Sequence, residues 1–324
     1  MNITILGGDG FLGRKIADRL ATAGTLGGRK VTSLTLFDLH PPAPLAAPFP
    51  VHCVSGDVAD LPEAAIPAGT DVVFHLAAVV SAAAEADYDL GHRVNLDGIR
   101  AVVNACRRLP KPPRVVFTSS VASFSGGQSA NLADDARQMP TNSYGAQKAA
   151  GEMILADASR RGFLDLVSIR LPTICIRPGA PNKAASSFVS SIVREPLLGL
   201  ETTLPVPEDF AVWIASPAHA VAWLLHAAAM DTATMGLDRG VNPPGLSVTT
   251  GAMLDAMEAV RPGTRSLVRA QPDAGVADIV GTWPASFAPV RAPVLGFAPH
   301  GDLRALIEEF LAHDLAPTRA MRGL

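Results

Sequence analysis

Tyr144 and Lys148 stand four residues apart at the start of a helical pattern, a spacing that puts both on one helix face. A phenol of ordinary pKa, about 10, is a weak base at neutral pH, and a neighbouring ammonium lets it release its proton more readily. Ser120 closes a β-branched run ending Thr118-Ser119-Ser120 and supplies a hydroxyl suited to holding a substrate oxygen. Together the three side chains suit removal of a proton from an alcohol. Taken alone, Tyr144 and Lys148 would read first as an i,i+4 pair on a solvated helix; the chain has only 2 tyrosines, and this one follows the strand that ends in Ser120.

Oxidising an alcohol also requires a hydride acceptor, and the N-terminal residues suit one. Gly7-Gly8-Asp9-Gly10-Phe11-Leu12-Gly13 follows a strand and opens a helix, the context of a dinucleotide pyrophosphate site. Gly7 permits a tight turn, Gly10 lets the backbone approach the phosphates, and Gly13 allows close contact of helix and strand. The amides at the helix start, at Phe11 and Leu12, then face the negative charge. Asp38 closes the second strand, where a carboxylate accepts hydrogen bonds from both ribose hydroxyls and repels a 2′-phosphate. Leu39 and His40 follow, with no arginine, so NAD is expected rather than NADP. Asp57 and Val58, past the third strand, suit an adenine contact, and Asp57 suits a helix N-cap as well. Leu76, Ala77 and Ala78 offer small side chains at the fourth strand's end, either for a cofactor lying against backbone or for tight core packing.

These residues need strands to carry them. Ile3–Leu6, Val31–Phe37, Val51–Val54, Val72–Leu76, Val115–Thr118 and Leu164–Ile169 read as strands, and Phe11–Ala23, Val94–Arg107 and Tyr144–Arg161 as amphipathic helices between them. Such alternation predicts an α/β fold, a Rossmann-like doubly wound parallel sheet. Prolines punctuate the chain after Arg170, which predicts loops and short helices grafted onto the scaffold as a smaller substrate-binding cap. A helical pattern returns at Ala218–Ala229, and a Pro/Gly-rich stretch from Asn242 to Pro299 precedes a helix at Leu303–His313. The expected division is a nucleotide-binding domain over 1–172, with 208–240 returning to it, and a cap from 173–207 and 241–324.

Composition bounds the alternatives. The chain has 324 residues, 48% hydrophobic and 18% charged, with a formal net charge of −3, too apolar for disorder. Lacking a Lys/Arg block, it offers no basic groove for nucleic acid. Its 3 cysteines are far apart and have no histidine partners at ligand spacing, which argues against disulfides and zinc and suits a reducing cytoplasm. The N-terminus lacks the marks of a signal peptide, and the apolar stretch Val72–Ala84 is too short to span a bilayer.

The glycine loop, Asp38, His75-Leu76-Ala77-Ala78, Asn95, Ser119-Ser120 and Tyr144-Gly145-x-x-Lys148 occur in the order found in the extended short-chain dehydrogenase/reductase family, which includes nucleotide-sugar epimerases, and the chain resembles that family over roughly residues 1–180. The resemblance implies that Tyr144 is the base, that Lys148 orients the nicotinamide ribose and lowers the phenol's pKa, and that Ser120 binds the substrate oxygen. It further implies Asn95 as a support for Lys148, with Pro172 and Thr173 lining the nicotinamide's amide end.

Family membership leaves the substrate open. The segments Arg170–Ser186 and Leu204–Phe210 resemble the D-erythronate-oxidising members rather than the epimerases, which implies NAD-dependent oxidation of a small sugar acid at C2. A carboxylate substrate needs a cation, and Arg177 and Lys183 are the nearest in sequence; Asn182 and Ser81 suit its hydroxyls. The alternatives are a nucleotide-sugar epimerase or dehydratase and a non-catalytic NAD-sensing protein. The family also implies a homodimer formed through the helices that follow Val94 and Tyr144.

Overall fold

Parallel strands buried on both faces are rich in apolar residues, and the inner strands of the large sheet meet that demand, whereas its edge strand Val51–Ser55 is largely exposed. Asn2–Leu6 (β1), Ser33–Asp38 (β2), Val51–Ser55 (β3), Val72–His75 (β4), Arg114–Ser120 (β5), Asp165–Leu171 (β6) and Gly240–Val241 (β7) form one seven-stranded sheet in the order β3-β2-β1-β4-β5-β6-β7. This is a computed structural model that describes residues 1–126, 131–181 and 186–324. The chain divides into two compact units, the first comprising Met1–Ser123, Asn142–Arg170 and Val221–Asn242, the second Phe124–Thr141, Leu171–Ala220 and Pro243–Leu324.

Strand order in the first unit reverses between β1 and β4, and a nucleotide binds beyond the carboxyl ends of the strands at such a point. Register sets what stands there. Leu6 pairs with Phe37 on one side and His75 on the other, and His75 pairs with Phe117. The next residues, Gly7, Asp38, Leu76 and Thr118, therefore share one edge of the sheet.

Among the described helices of this unit, three stand closest to the site, and the helix Pro217–Ala229 returns to the unit with Trp223, Leu224 and Ala227 buried. Phe11–Ala23 (α1) buries Ile16, Ala17 and Leu20, and Gly98–Cys106 (α2) buries Ile99 and Val102. The 18-residue helix Ser143–Arg160 (α3) buries Gly145, Gln147, Lys148, Gly151, Glu152, Leu155 and Ala158. That buried face explains its close approach: a Cβ on Gly151 would stand 2.4 Å from Ile99 Cδ1 and 3.4 Å from the Phe117 ring. At the sheet's far edge β7 pairs with β6 in parallel. There Asp165 accepts hydrogen bonds from Arg114 Nε and Arg239 Nη1, each at 3.0 Å.

In the second unit, Thr173–Ile174, Ala211–Ala215 and Leu246–Thr249 make a three-stranded sheet. Its core joins Ile192, Val193 and Leu197 to Met253, Leu254, Met257, Leu306, Ile307 and Phe310. Here the structure is more regular than the prolines suggest. Ser187–Leu198 is a 12-residue helix carrying Pro196 near its end and stopped by Gly199 at φ +86°. Its polar residues Ser187, Ser190, Ser191, Arg194 and Glu195 recur at helical spacing along one face, and Phe188–Leu198 is buried on every side, the polar stripe included. Arg194 on this helix is buried, and donates to Glu195 Oε1 at 2.8 Å and to the Arg177 carbonyl at 2.9 Å; Glu195 also pairs with Arg322. Among the described residues no helix is long and apolar enough to cross a membrane.

Substituting Gly151→Val forces branched carbons against Ile99 and Phe117, and overpacking of this kind costs about 1–3 kcal/mol. Urea unfolding of the variant is expected to show a lower midpoint with an unchanged slope.

Candidate active site

The glycine loop is shaped by backbone that leaves no room for side chains. Gly7 adopts φ +85°, and its N–H and that of Gly8 both donate to the Phe37 carbonyl, at 2.8 and 2.9 Å. A Cβ on Gly7 would lie 2.8 Å from the Ala77 amide nitrogen, and one on Gly13 only 2.1 Å from the Gly7 carbonyl oxygen. So β1, α1 and the end of β4 meet at backbone distance. Gly10 starts α1 with no side-chain cap, and the first bond within the helix runs from Arg14 N–H to Gly10 O at 2.9 Å. The amides of Phe11, Leu12 and Gly13 precede that bond, in the turn where a helix has no acceptors of its own. An anion is the fitting partner for them.

Asp38 lies beside this turn. Its Oδ2 accepts from the Asp9 amide at 3.0 Å and its Oδ1 from the Leu39 amide at 2.8 Å, leaving each oxygen a second lone pair for a ribose hydroxyl. Sequence reasoning missed the neighbouring clasp. Asp9 Oδ1 accepts from the Ala43 amide at 3.0 Å, while Arg14 Nη1 donates to the Ala43 carbonyl at 2.6 Å. Both polar groups of one backbone unit are held, which fixes the Pro-rich segment after β2. The Asp9 carboxylate inside the glycine loop was the signal available. Asp57 caps the short helical turn Val58–Asp60, accepting from the Ala59 amide at 2.9 Å, and pairs with Arg93. Buried Val58 fills the space above Gly98, where a Cβ would come within 2.9 Å of it.

On the other side of β4, α3 is set at its first turn by two acceptors. Asn142 accepts from the Gly145 amide at 2.8 Å, and Glu85 accepts from the Ser143 amide at 2.7 Å. Carboxylates at a helix N-terminus are favoured by the backbone dipole. Tyr144 is the second residue of this helix, and Lys148 lies one turn on with Nζ 5.6 Å from the Tyr144 ring centre. Lys148 is buried, donates to the Thr118 carbonyl at 2.7 Å and lies 4.7 Å above the Phe117 ring. Burial pulls its pKa down to about 7, against a smaller upward pull from Glu152. Ser120 Oγ accepts from the Ala122 amide at 3.1 Å.

Asn95 sits in a π-helical turn, Arg93–Asp97. It bonds both the N–H and the carbonyl of Val79, at 2.9 and 3.0 Å, and donates to Gln147 Oε1 at 2.7 Å. The loop after β4, which carries Leu76, Ala77 and Ala78, is thus tied to α3 beside Lys148. His75 is buried with Nδ1 unpartnered; burial, and secondarily Lys148, lower its pKa to about 3.

All these residues belong to the first unit. Ser81, buried, starts the helix Ser81–Ala86 in the same unit. Pro172, Thr173 and Arg177 belong to the second. Thr173 pairs with Ile214, and the Arg177 backbone is held on both sides, its N–H by Ser190 Oγ at 3.1 Å and its carbonyl by Arg194. Asn182 and Lys183 lie outside the described residues.

A turn of unbonded helix amides at the switch point, a carboxylate beside it and a Tyr–Lys pair on one helix fit a dinucleotide oxidoreductase, and the chain belongs to the NAD dependent epimerase/dehydratase family, whose model matches residues 3–209. Within that class it is similar to two curated proteins named D-erythronate dehydrogenase. One, from Cupriavidus necator, is 46% identical over 96% of this chain and 98% of its own length. The other, from Haemophilus influenzae, is 38% identical over 97% of this chain and 100% of its own. Among solved structures, one described as a nucleoside-diphosphate-sugar epimerase from Agrobacterium tumefaciens is 42% identical with a TM-score of 0.93, covering 98% of this chain and 95% of its own.

Two predictions follow from these contacts. Arg14→Ala frees the Ala43 segment, and calorimetry is expected to show NAD binding weakened by about 10-fold, the loss of one charge-assisted hydrogen bond. The His75 pKa of about 3 lies below its ordinary 6.5, so between those values the unfolded chain takes up a proton that the folded one refuses. Stability is therefore lost as pH falls from about 6.5 to 3, by up to about 5 kcal/mol from this group. Unfolding free energies measured across that window are expected to show a shallower pH dependence in His75→Asn.

Proposed function

We propose that this protein oxidises D-erythronate at C2 with NAD, yielding 2-dehydro-D-erythronate, NADH and a proton. The observation that carries the reading is Lys148, buried and fixed to the Thr118 carbonyl one turn from Tyr144, in a chain similar end to end to two D-erythronate dehydrogenases. Gly7, Gly10, Phe11, Leu12 and Gly13 hold the pyrophosphate of NAD, Asp38 the adenosine ribose, and Asp57 and Val58 the adenine. Leu76, Ala77, Ala78, Asn95, Pro172 and Thr173 line the remainder of its path. NAD supplies the hydride acceptor. Tyr144, held as the phenolate by the charge of Lys148, takes the proton of the C2 hydroxyl and becomes a phenol as hydride leaves C2; Lys148 also binds the nicotinamide ribose, and Ser120 donates to the substrate oxygen.

The substrate carboxylate pairs with Arg177, whose backbone is held at both polar groups, and with Lys183; Ser81 and Asn182 take the hydroxyls. Two copies associate through α2 and α3. Support for that comes from the outer face of α3, where Ala146, Ala150 and Met153 are exposed, Met153 to 73%. The cytoplasm suits both the cofactor and the free cysteines.

A second reading, sugar-nucleotide epimerisation, draws on the solved relative described as an epimerase. One assay separates them: NADH appearance at 340 nm with D-erythronate, L-threonate and uronates, beside UDP-sugar interconversion without net NADH. Selective NADH formation with D-erythronate is expected. Tyr144→Phe is expected to lower that turnover at least 100-fold, the usual scale for a lost general base; wild-type turnover in the variant would remove Tyr144 from its role. NAD binding without turnover of any acid or UDP-sugar would favour the non-catalytic reading.

A further inference from the structure

Ser119 lies between the two β5 residues the site uses, and a buried ion pair that the proposed chemistry leaves unexplained reaches it. Glu152, one turn beyond Lys148 on α3, is gripped by Arg170 of β6: Nε and Nη2 donate to Glu152 Oε2 at 3.0 and 2.9 Å, and Nε also reaches Oε1 at 3.2 Å. Ser119 Oγ donates to the same Oε1. Ser119, Glu152 and Arg170 are all buried. A buried carboxylate needs its lone pairs filled, yet the hydroxyl that completes this one comes from between Thr118 and Ser120.

We infer that Ser119, acting through Glu152, is a positioning residue that locks the end of β5 to α3, so that the Thr118 carbonyl and the Ser120 hydroxyl stand in register with Lys148 and Tyr144. This inference rests on the function proposed above. Two consecutive residues of the strand are bonded to two residues one turn apart on the helix: Thr118 O to Lys148 Nζ, and Ser119 Oγ to Glu152 Oε1. One bond would leave the strand end free to pivot about Lys148; two remove that freedom. Arg170 holds the second attachment from a third element, so Glu152 has no alternative rotamer without giving up its counter-ion. Charge works in the same direction. Besides the Thr118 carbonyl, the described groups facing Lys148 are His75 from β4, Glu152 and Tyr144 on its own helix, and the Phe117 ring. Of these, Glu152 favours the ammonium, and it is kept in place by Ser119 and Arg170. Misplacing reacting groups by an ångström lowers rates up to about 100-fold, whereas binding of the cofactor's distant adenosine half is untouched.

The test compares full-length wild type, Ser119→Ala and Ser119→Thr; the Glu152–Arg170 pair stays whole in each. Expected for Ser119→Ala is a kcat reduced about 10- to 100-fold at nearly unchanged KM for D-erythronate, with most of the loss restored by Ser119→Thr, which returns the hydroxyl. Amide hydrogen exchange over residues 117–124 is expected to quicken in Ser119→Ala and return to the wild-type rate in Ser119→Thr. A wild-type kcat in Ser119→Ala, or a loss that threonine leaves unrescued, overturns the inference. Should wild type itself fail to oxidise D-erythronate, the proposed function falls, and exchange decides the tether separately: unchanged exchange in Ser119→Ala would overturn it.

Discussion

The ammonium of Lys148 is almost wholly removed from water, and an ammonium so placed persists only where oxygen atoms take over from solvent. The Thr118 carbonyl does this directly, and α3 lies close enough for it because Gly151 leaves room for the Ile99 and Phe117 side chains. The glycine, the strand end and the capped start of α3 are therefore parts of one arrangement. Its electrostatic balance is narrow, with a pKa of about 7 set by burial against the pull of Glu152. A group this close to neutrality responds to any new acceptor, and the hydroxyls of a cofactor ribose are acceptors of the right kind.

Parallel register does the corresponding work on the nucleotide side. Because Leu6, Phe37, His75 and Phe117 lie level across four strands, the first residues beyond them arrive together, and each can serve one group of an extended ligand. The glycine at the end of β1, the carboxylate at the end of β2, the alanines after β4 and the carbonyl after Phe117 occupy successive positions along that edge. No loop needs to reach far to bring a ligand-binding group into place, which is why short connections suffice.

Much of this was legible in the residues because each feature had a local cause. The strand–glycine–helix transition at Leu6–Phe11, the acid closing β2, and the four-residue spacing of Tyr144 and Lys148 all depend on neighbours in sequence. What escaped depends on partners far away. The bonds of Asn95 reach Val79, 16 positions back, and Gln147, 52 positions on and next to Lys148. The Asp9–Arg14 clasp on Ala43 joins residues about 30 positions apart, and the Glu152–Arg170 pair joins a helix to the strand beyond it. In Ser187–Leu198 the polar positions Ser187, Ser190, Ser191, Arg194 and Glu195 do recur at helical spacing, and Pro196 with the prolines on either side masked that period.

The last strand of the large sheet, β7, is separated from its partner β6 by Leu171–Ala220 of the second unit and the residues that follow it, and Arg239 meets Asp165 across 74 residues of chain. During synthesis β6 is therefore made well before the strand that covers its edge. Until residue 241 emerges, the growing polypeptide presents a row of unpaired backbone amides and carbonyls along an apolar strand, the kind of edge that recruits strangers. Long loops also close slowly. A nascent chain of this design has most need of a chaperone not at its first residues but midway, in the interval between β6 and β7.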